Sequence, residues 1–174
     1  MMAMCMAWLG VSTSAAQKNN AARKILDRAA KVVGRSGGAS ASFTMSSAAT
    51  GKVSGTIAIK GNKFNARTPQ MTVWYNGKTQ WTYVKKNNEV NVSTPTQAQQ
   101  QMMNPYSFIT MYKTGYKMSA TNAGANDEVH LVAQNPNRGI SEMYITINRK
   151  TGVPSKVKMK HKGKWSTITV SNFS

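Results

Sequence analysis

Short runs of alternating apolar and polar residues, each closed by a turn, recur along most of this chain. In KVSGTIAIK (52–60), Val53, Ile57 and Ile59 fall on one face, with Gly55 between them. Gly61-Asn62 closes that run, KFNART follows, and Pro69 breaks it. MTVWY and TQWTYV then flank Asn76-Gly77, and Lys86-Asn87-Asn88 leads into EVNV. The pattern resumes at 128–134, 141–149, 154–161 and 164–173, with turns at Lys150-Thr151-Gly152 and Lys162-Gly163. About ten short antiparallel strands connected in this way predict a barrel or a strongly curved sheet.

Two segments break the strand pattern. Residues 18–33, KNNAARKILDRAAKVV, carry Ala22, Ile25, Leu26, Ala29, Val32 and Val33 at helical spacing; Asn20 can cap this helix and GRSGG ends it. After Thr94 or Thr96, either of which suits an N-cap, Gln97–Met103 is rich in helix formers, and after Pro105 YSFITMYK suits a second short helix. The apolar faces of these helices must be buried, and the open side of the curved sheet is the place for them. The predicted class is mainly β (α+β): an incomplete antiparallel barrel with an N-terminal helix and a mid-chain helical lid.

Residues 1–16 are expected to be a signal peptide: apolar from Met1 to Val11, then small residues, with Gln17 opening the mature domain of 17–174. Cys5 is the only cysteine and falls in this leader, so the mature domain has no thiol or disulfide chemistry. All 23 Lys and Arg follow Ala16 and face only 5 Asp and Glu, a formal net charge of +18. Such a domain attracts phosphate, in anionic lipid headgroups or in nucleic acid. Lys156, Lys158, Lys160 and Lys162 alternate with Val157 and Met159, which predicts a cationic outer stripe.

Catalysis is not expected. The carboxylates Asp27, Glu89, Asp127, Glu128 and Glu142 and the histidines His130 and His161 show no metal-site, nucleophile–base or phosphate-loop spacing. Glu89 and Glu142 are expected to pair with cations, Asp127-Glu128 to be solvated at a loop, and His130 to be exposed. No cofactor is implied.

The aromatic hairpin VWYNGKTQWTYV, with EVNVSTPT and NPYSFITMYKTGYK after it, resembles the LolA-like family of periplasmic outer-membrane lipoprotein carriers. AARKILDRAAKVV and ASASFTMS resemble the first helix and first strand of that family, whose phenylalanine corresponds to Phe43. The resemblance implies an incomplete barrel with a helical lid and an apolar cavity that shelters lipoprotein acyl chains between inner and outer membrane. By the same resemblance, the donor is an inner-membrane ABC transporter and the acceptor the outer membrane or a receptor on it. Phe43, Ile57, Ile59, Phe64, Trp81 and Tyr83 are expected to line the concave side, with Trp74 outside. Met102, Met103, Tyr106, Phe108, Ile109 and Met111 are expected on the lid, where flexible methionine suits a varied guest; methionine also serves as an ordinary core filler.

The family commonly has an Arg on an early strand that hydrogen-bonds the lid shut. Here IKGNKF offers only Lys60 and Lys63, with Arg67 further along. The chain stops at Ser174, soon after its last strand, where carriers of the family often continue. The expected protein is a periplasmic monomer, with acylated lipoproteins as cargo and an anionic membrane surface as a further partner. The alternatives are a carrier or sensor of free lipids or glycolipids on the same fold, a β-protein whose aromatics simply fill its core and, against the leader, a basic nucleic-acid-binding module.

Overall fold

The computed structural model describes residues 12–49, 51–96, 99–100, 107 and 110–174. One helix, α1 (Ser12–Val33), precedes eleven strands. These are β1 (Ala39–Ser47), β2 (Gly51–Lys60), β3 (Lys63–Arg67), β4 (Met71–Tyr75), β5 (Gln80–Val84) and β6 (Glu89–Ser93) in the first half. The second half contributes β7 (Tyr116–Ala123), β8 (Asn126–Ala133), β9 (Ile140–Asn148), β10 (Pro154–His161) and β11 (Lys164–Ser171). They form a single antiparallel sheet in the order β6-β5-β4-β3-β2-β1-β11-β10-β9-β8-β7. Each half is a meander, and the pairing of β1 with β11 joins the halves at the centre. The sheet does not close: β6 and β7 are its end strands.

The strand absent from the sequence-based expectation is β7. Tyr116, Met118 and Ala120 alternate inward there, but the run follows directly on a helical-looking insertion and contains good helix formers. It becomes a strand through pairing along its whole length with β8. Among the described residues the helix already runs from Ser12, ahead of the expected cap at Asn20, and passes through the expected cleavage point at Ala16. Its buried stripe is the expected one: Ala22, Leu26, Ala29 and Val33 are 5% exposed or less. The Gly34 amide donates to the Ala30 carbonyl oxygen at 2.8 Å, closing the helix where GRSGG begins.

Direct partners across an antiparallel pair share a face, so the strand registers divide every strand into two sets of side chains. Ala39, Ala41, Phe43 and Met45 oppose Ile59, Ile57, Gly55 and Val53. Ile59 and Ile57 oppose Phe64 and Ala66, which oppose Tyr75 and Val73. On the other side, Met45 opposes Ile168, Ile168 opposes Val157, and Val157 opposes Ile145. Ile145 opposes Val129, which opposes Ala120. One apolar face therefore runs from β4 to β7. The other face carries serine, threonine and lysine, with Trp74, Trp81 and Trp165.

Candidate functional site: the apolar face of the sheet

The apolar face has two unequal parts. Over β7–β10 it is a filled core. Val129, Leu131, Met143, Ile145 and Ile147 are at most 1% exposed and sit in one cluster with Ala22, Leu26, Ala29 and Val33 of α1. The main sheet contacts of α1 are to β7 and β8. Over β1–β5 the same face is only partly covered: Ala41, Phe43, Met45, Val53, Ile57, Ala66, Val73 and Val84 are half-buried. Ala39, Ile59, Phe64 and Tyr75 are buried among them. The result is an apolar floor beside a finished core.

Local features shape this floor. Phe64 and Tyr75, opposed on β3 and β4, form an aromatic pair with ring centroids 5.6 Å apart and planes tilted by 35°. Gly55 lies under the Phe43 ring: a Cβ there would come within 2.9 Å of Phe43 Cζ and collide with the Arg67 carbonyl oxygen. A pocket of about 510 Å³ opens at one end of β1–β3, and it is lined largely from the polar face: the row Ser40, Ala58 and Asn65 with Lys60 and Lys63, next to Ala39, Ile59, Phe64 and Ser174. That volume lies within the roughly 300–1,000 Å³ usual for small-molecule sites.

The sequence-derived site residues divide as follows. Phe43, Ile57, Ile59 and Phe64 share the apolar face. Trp81 and Tyr83 do not. Trp81 opposes Trp74 and Tyr83 opposes Thr72, so both stand on the opposite face, with Trp74 beside them. The inward residues of that hairpin are Tyr75, Val73 and Met71, opposed to Gln80, Thr82 and Val84. The correction is geometric. Residues equidistant from the centre of the Asn76–Thr79 turn face each other and share a side, so Trp74 and Trp81 cannot be separated. Met102, Met103, Tyr106, Phe108 and Ile109 lie outside the described residues.

Met111 is described, and it is packed in the core cluster. It opens a 3-10 turn, Met111–Lys113, in which Tyr112 is 1% exposed. The Tyr112 hydroxyl donates to the Asp27 carboxylate on α1. The Tyr116 hydroxyl donates to the Ile140 carbonyl oxygen at 2.8 Å and lies 3.9 Å from Met111 Sδ. Burial pushes the Tyr116 phenol above its ordinary pKa, partly offset by the Arg138 guanidinium 4.5 Å over its ring. At the other end of the insertion, Thr96 and Gln99 form a reciprocal capping box: each backbone amide donates to the other's side-chain oxygen, at 2.8 and 3.3 Å.

The cations nearest the expected latch position point away from the floor. Lys60 opposes Lys63, and Arg67 opposes Thr56, all on the polar face. The Arg67 guanidinium donates to Asn65 Oδ1 at 3.1 Å. Sequence reasoning also passed over Ala39, Ala41, Met45, Tyr75, Ile168 and Val170 as floor residues. For all of them but Tyr75 the signal was present in the strict alternation of ASASFTM and ITV.

The polar face holds one dense cluster. Glu142 shares a hydrogen bond with His130 Nε2 at 2.9 Å, accepts from the Tyr144 hydroxyl at 3.2 Å, and lies 3.8 Å from Lys160 Nζ. The hydrogen bond to His130 is the main influence holding the Glu142 carboxyl below its ordinary pKa. Tyr144 stacks on His130 at 4.2 Å, so this histidine is part of a packed cluster and not a free surface group. Asp127 lies in β8, not a loop, and pairs with Arg149 at 3.3 Å. Among the described residues no group of three metal-ligating side chains converges.

A family model described as "Outer membrane lipoprotein carrier protein LolA" matches residues 11–163. The chain belongs to this family. No curated protein matches it in sequence. Among solved structures, an uncharacterized conserved protein from Thermus thermophilus aligns with a TM-score of 0.60 at 14% identity, over 88% of this chain and 86% of that one. LprF from Mycobacterium bovis aligns at 0.49 and 11%, over 88% and 93%. A LolA superfamily protein from Nitrosomonas europaea aligns at 0.46 and 11%, over 88% and 92%. The Thermus structure supports the fold: a mostly β, open antiparallel sheet with one N-terminal helix.

Proposed function

We infer that this chain is a periplasmic carrier that shelters the acyl chains of lipoproteins and moves them from inner to outer membrane. The observation that carries the reading is the half-covered apolar floor on β1–β5, next to a core that is already complete under α1. Each methylene taken from water into such a surface is worth about 0.8 kcal/mol, so a floor of this kind favours acyl chains over polar ligands. Phe43, Ile57, Ile59 and Phe64 would form the seat, joined by Met45, Val73 and Tyr75. Met102, Met103, Tyr106, Phe108 and Ile109 would supply the cover. The 3-10 turn would be the fixed end of that cover, because Met111 and Tyr112 are anchored in the core.

The carrier catalyses no reaction in this reading and needs no cofactor. Its donor would be an inner-membrane ABC transporter and its acceptor the outer membrane or a receptor there. The cover would not be latched by Lys60, Lys63 or Arg67, since the register places them on the other face.

Native mass spectrometry of protein purified from the periplasm without detergent tests the reading. Bound triacylated peptide or lipoprotein is the expected result. Free phospholipid or glycolipid instead would assign the same floor to lipid transport. An empty protein that also fails to bind acyl probes would overturn the acyl seat.

A further inference from the structure

The correction to Trp81 and Tyr83 leaves an unexplained surface. Trp74, Trp81 and Val92 line up across β4, β5 and β6, and Thr72, Tyr83 and Val90 line up beside them. All six stand on the face opposite the floor. Trp74 is 39% exposed, Val90 57% and Val92 62%, which makes this the largest group of exposed apolar side chains among the described residues. It does not belong to the acyl seat, and among the described elements β4–β6 make extensive contacts only with their neighbours in the sheet.

Its surroundings are cationic at both ends. Lys60 and Lys63 close one end with Lys78, since Gly77 of the β4–β5 turn abuts the Asn62 side chain of the β2–β3 turn. Arg67 closes the other end with Lys85 and Lys86. There the Lys85 amide donates to the Gln70 carbonyl oxygen at 3.0 Å, and its ammonium lies 3.4 Å from the Thr68 carbonyl oxygen. Between residues 60 and 93 these six cations face one carboxylate, Glu89. Glu89 opposes Val84 and so belongs to the floor side.

We propose that the outer face of β4–β6 is a docking surface for an anionic lipid bilayer. Tryptophan suits the interface between headgroup and hydrocarbon, the two valines add shallow apolar burial, and the flanking lysines and arginine match anionic headgroups. Reversible membrane attachment takes two signals, and this patch supplies both: a modest apolar area and a polybasic rim. The site is independent of the acyl seat, because alternation places the two on opposite sides of the same strands.

Co-sedimentation of the mature chain with vesicles tests this. Binding is expected to vesicles of phosphatidylcholine mixed with phosphatidylglycerol, weak binding to phosphatidylcholine alone, and release by high salt. Trp74→Ala combined with Val92→Ser should weaken binding by roughly tenfold or more. Lys85→Gln with Lys86→Gln should do the same. Val90→Ser with Val92→Ser, at two largely exposed positions, should repeat the loss while leaving the circular dichroism and melting temperature unchanged. Binding of a soluble acyl probe should survive in all three, so failure of this surface and failure of the carrier reading are read separately. The proposal is overturned by equal binding to both vesicle types, by full binding of the apolar variants, or by loss only when Lys158 and Lys160 are changed to Gln. A single-stranded oligonucleotide that binds without any preference for phosphatidylglycerol overturns it too.

Discussion

Gly55 illustrates how much one missing side chain fixes. It opposes Phe43 on the apolar face, and the space its Cβ would need is taken by the Phe43 ring and the Arg67 carbonyl. Gly55→Ala should therefore cost about 1–3 kcal/mol, as overpacking does. Urea unfolding should show a lower midpoint with an unchanged slope; an unchanged midpoint would mean that the ring and strand shift freely. Glu142 gives a second test at this scale. Its folded-state pKa lies below the ordinary carboxylate value, held there chiefly by the His130 hydrogen bond. A depressed pKa contributes stability above the unfolded value of about 4.3 and loses it as pH falls through the folded value. The melting-temperature gap between the natural chain and Glu142→Gln should shrink on acidification below that range. A gap that stays constant with pH would exclude the linkage. The alternation of single residues was legible in the sequence on β1, β2 and β10. It failed at the β4–β5 hairpin because face assignment there depends on counting through the turn, and one residue of error reverses every side chain.

At the scale of elements, the Tyr112 hydrogen bond to Asp27 ties the end of the insertion to α1. Tyr112→Phe keeps the ring's packing and removes the hydroxyl, so it should cost about 1 kcal/mol in global stability. If the tie anchors the cover, amide exchange in the Met111–Lys113 turn should also accelerate; protection equal to that of the natural chain would exclude this role. Helix α1 was legible from its apolar spacing, though not its start. Strand β7 was not legible, because its identity comes from its partner β8 and not from its own composition. The capping box at Thr96 was legible as one of two N-cap candidates, and Gln99 decides between them. Ion pairing of Glu142 was likewise foreseeable from scarcity: few carboxylates among many cations find partners.

Over the whole molecule, one sheet serves two purposes. Half of its apolar face is closed by α1 into a core, and the other half is left as a floor. The general fold was legible from the meander of short strands, and the family from the hairpin and the insertion together. Ile57 and Ile59 were placed by their alternation and Phe43 by the family resemblance, and the register puts them on one face with Phe64. The division of the apolar face between core and floor was not legible, since it depends on where the helix lands. Adjacent residues on β2 test the central claim most directly. Ile57 lies on the floor, and Thr56 on the opposite face. Binding of a fluorescent acyl probe should weaken about tenfold or more in Ile57→Asn, the loss of one apolar contact of this size, and stay unchanged in Thr56→Asn, with both variants checked for folding by circular dichroism. Equal binding by the two folded variants would contradict an acyl seat on β1–β5.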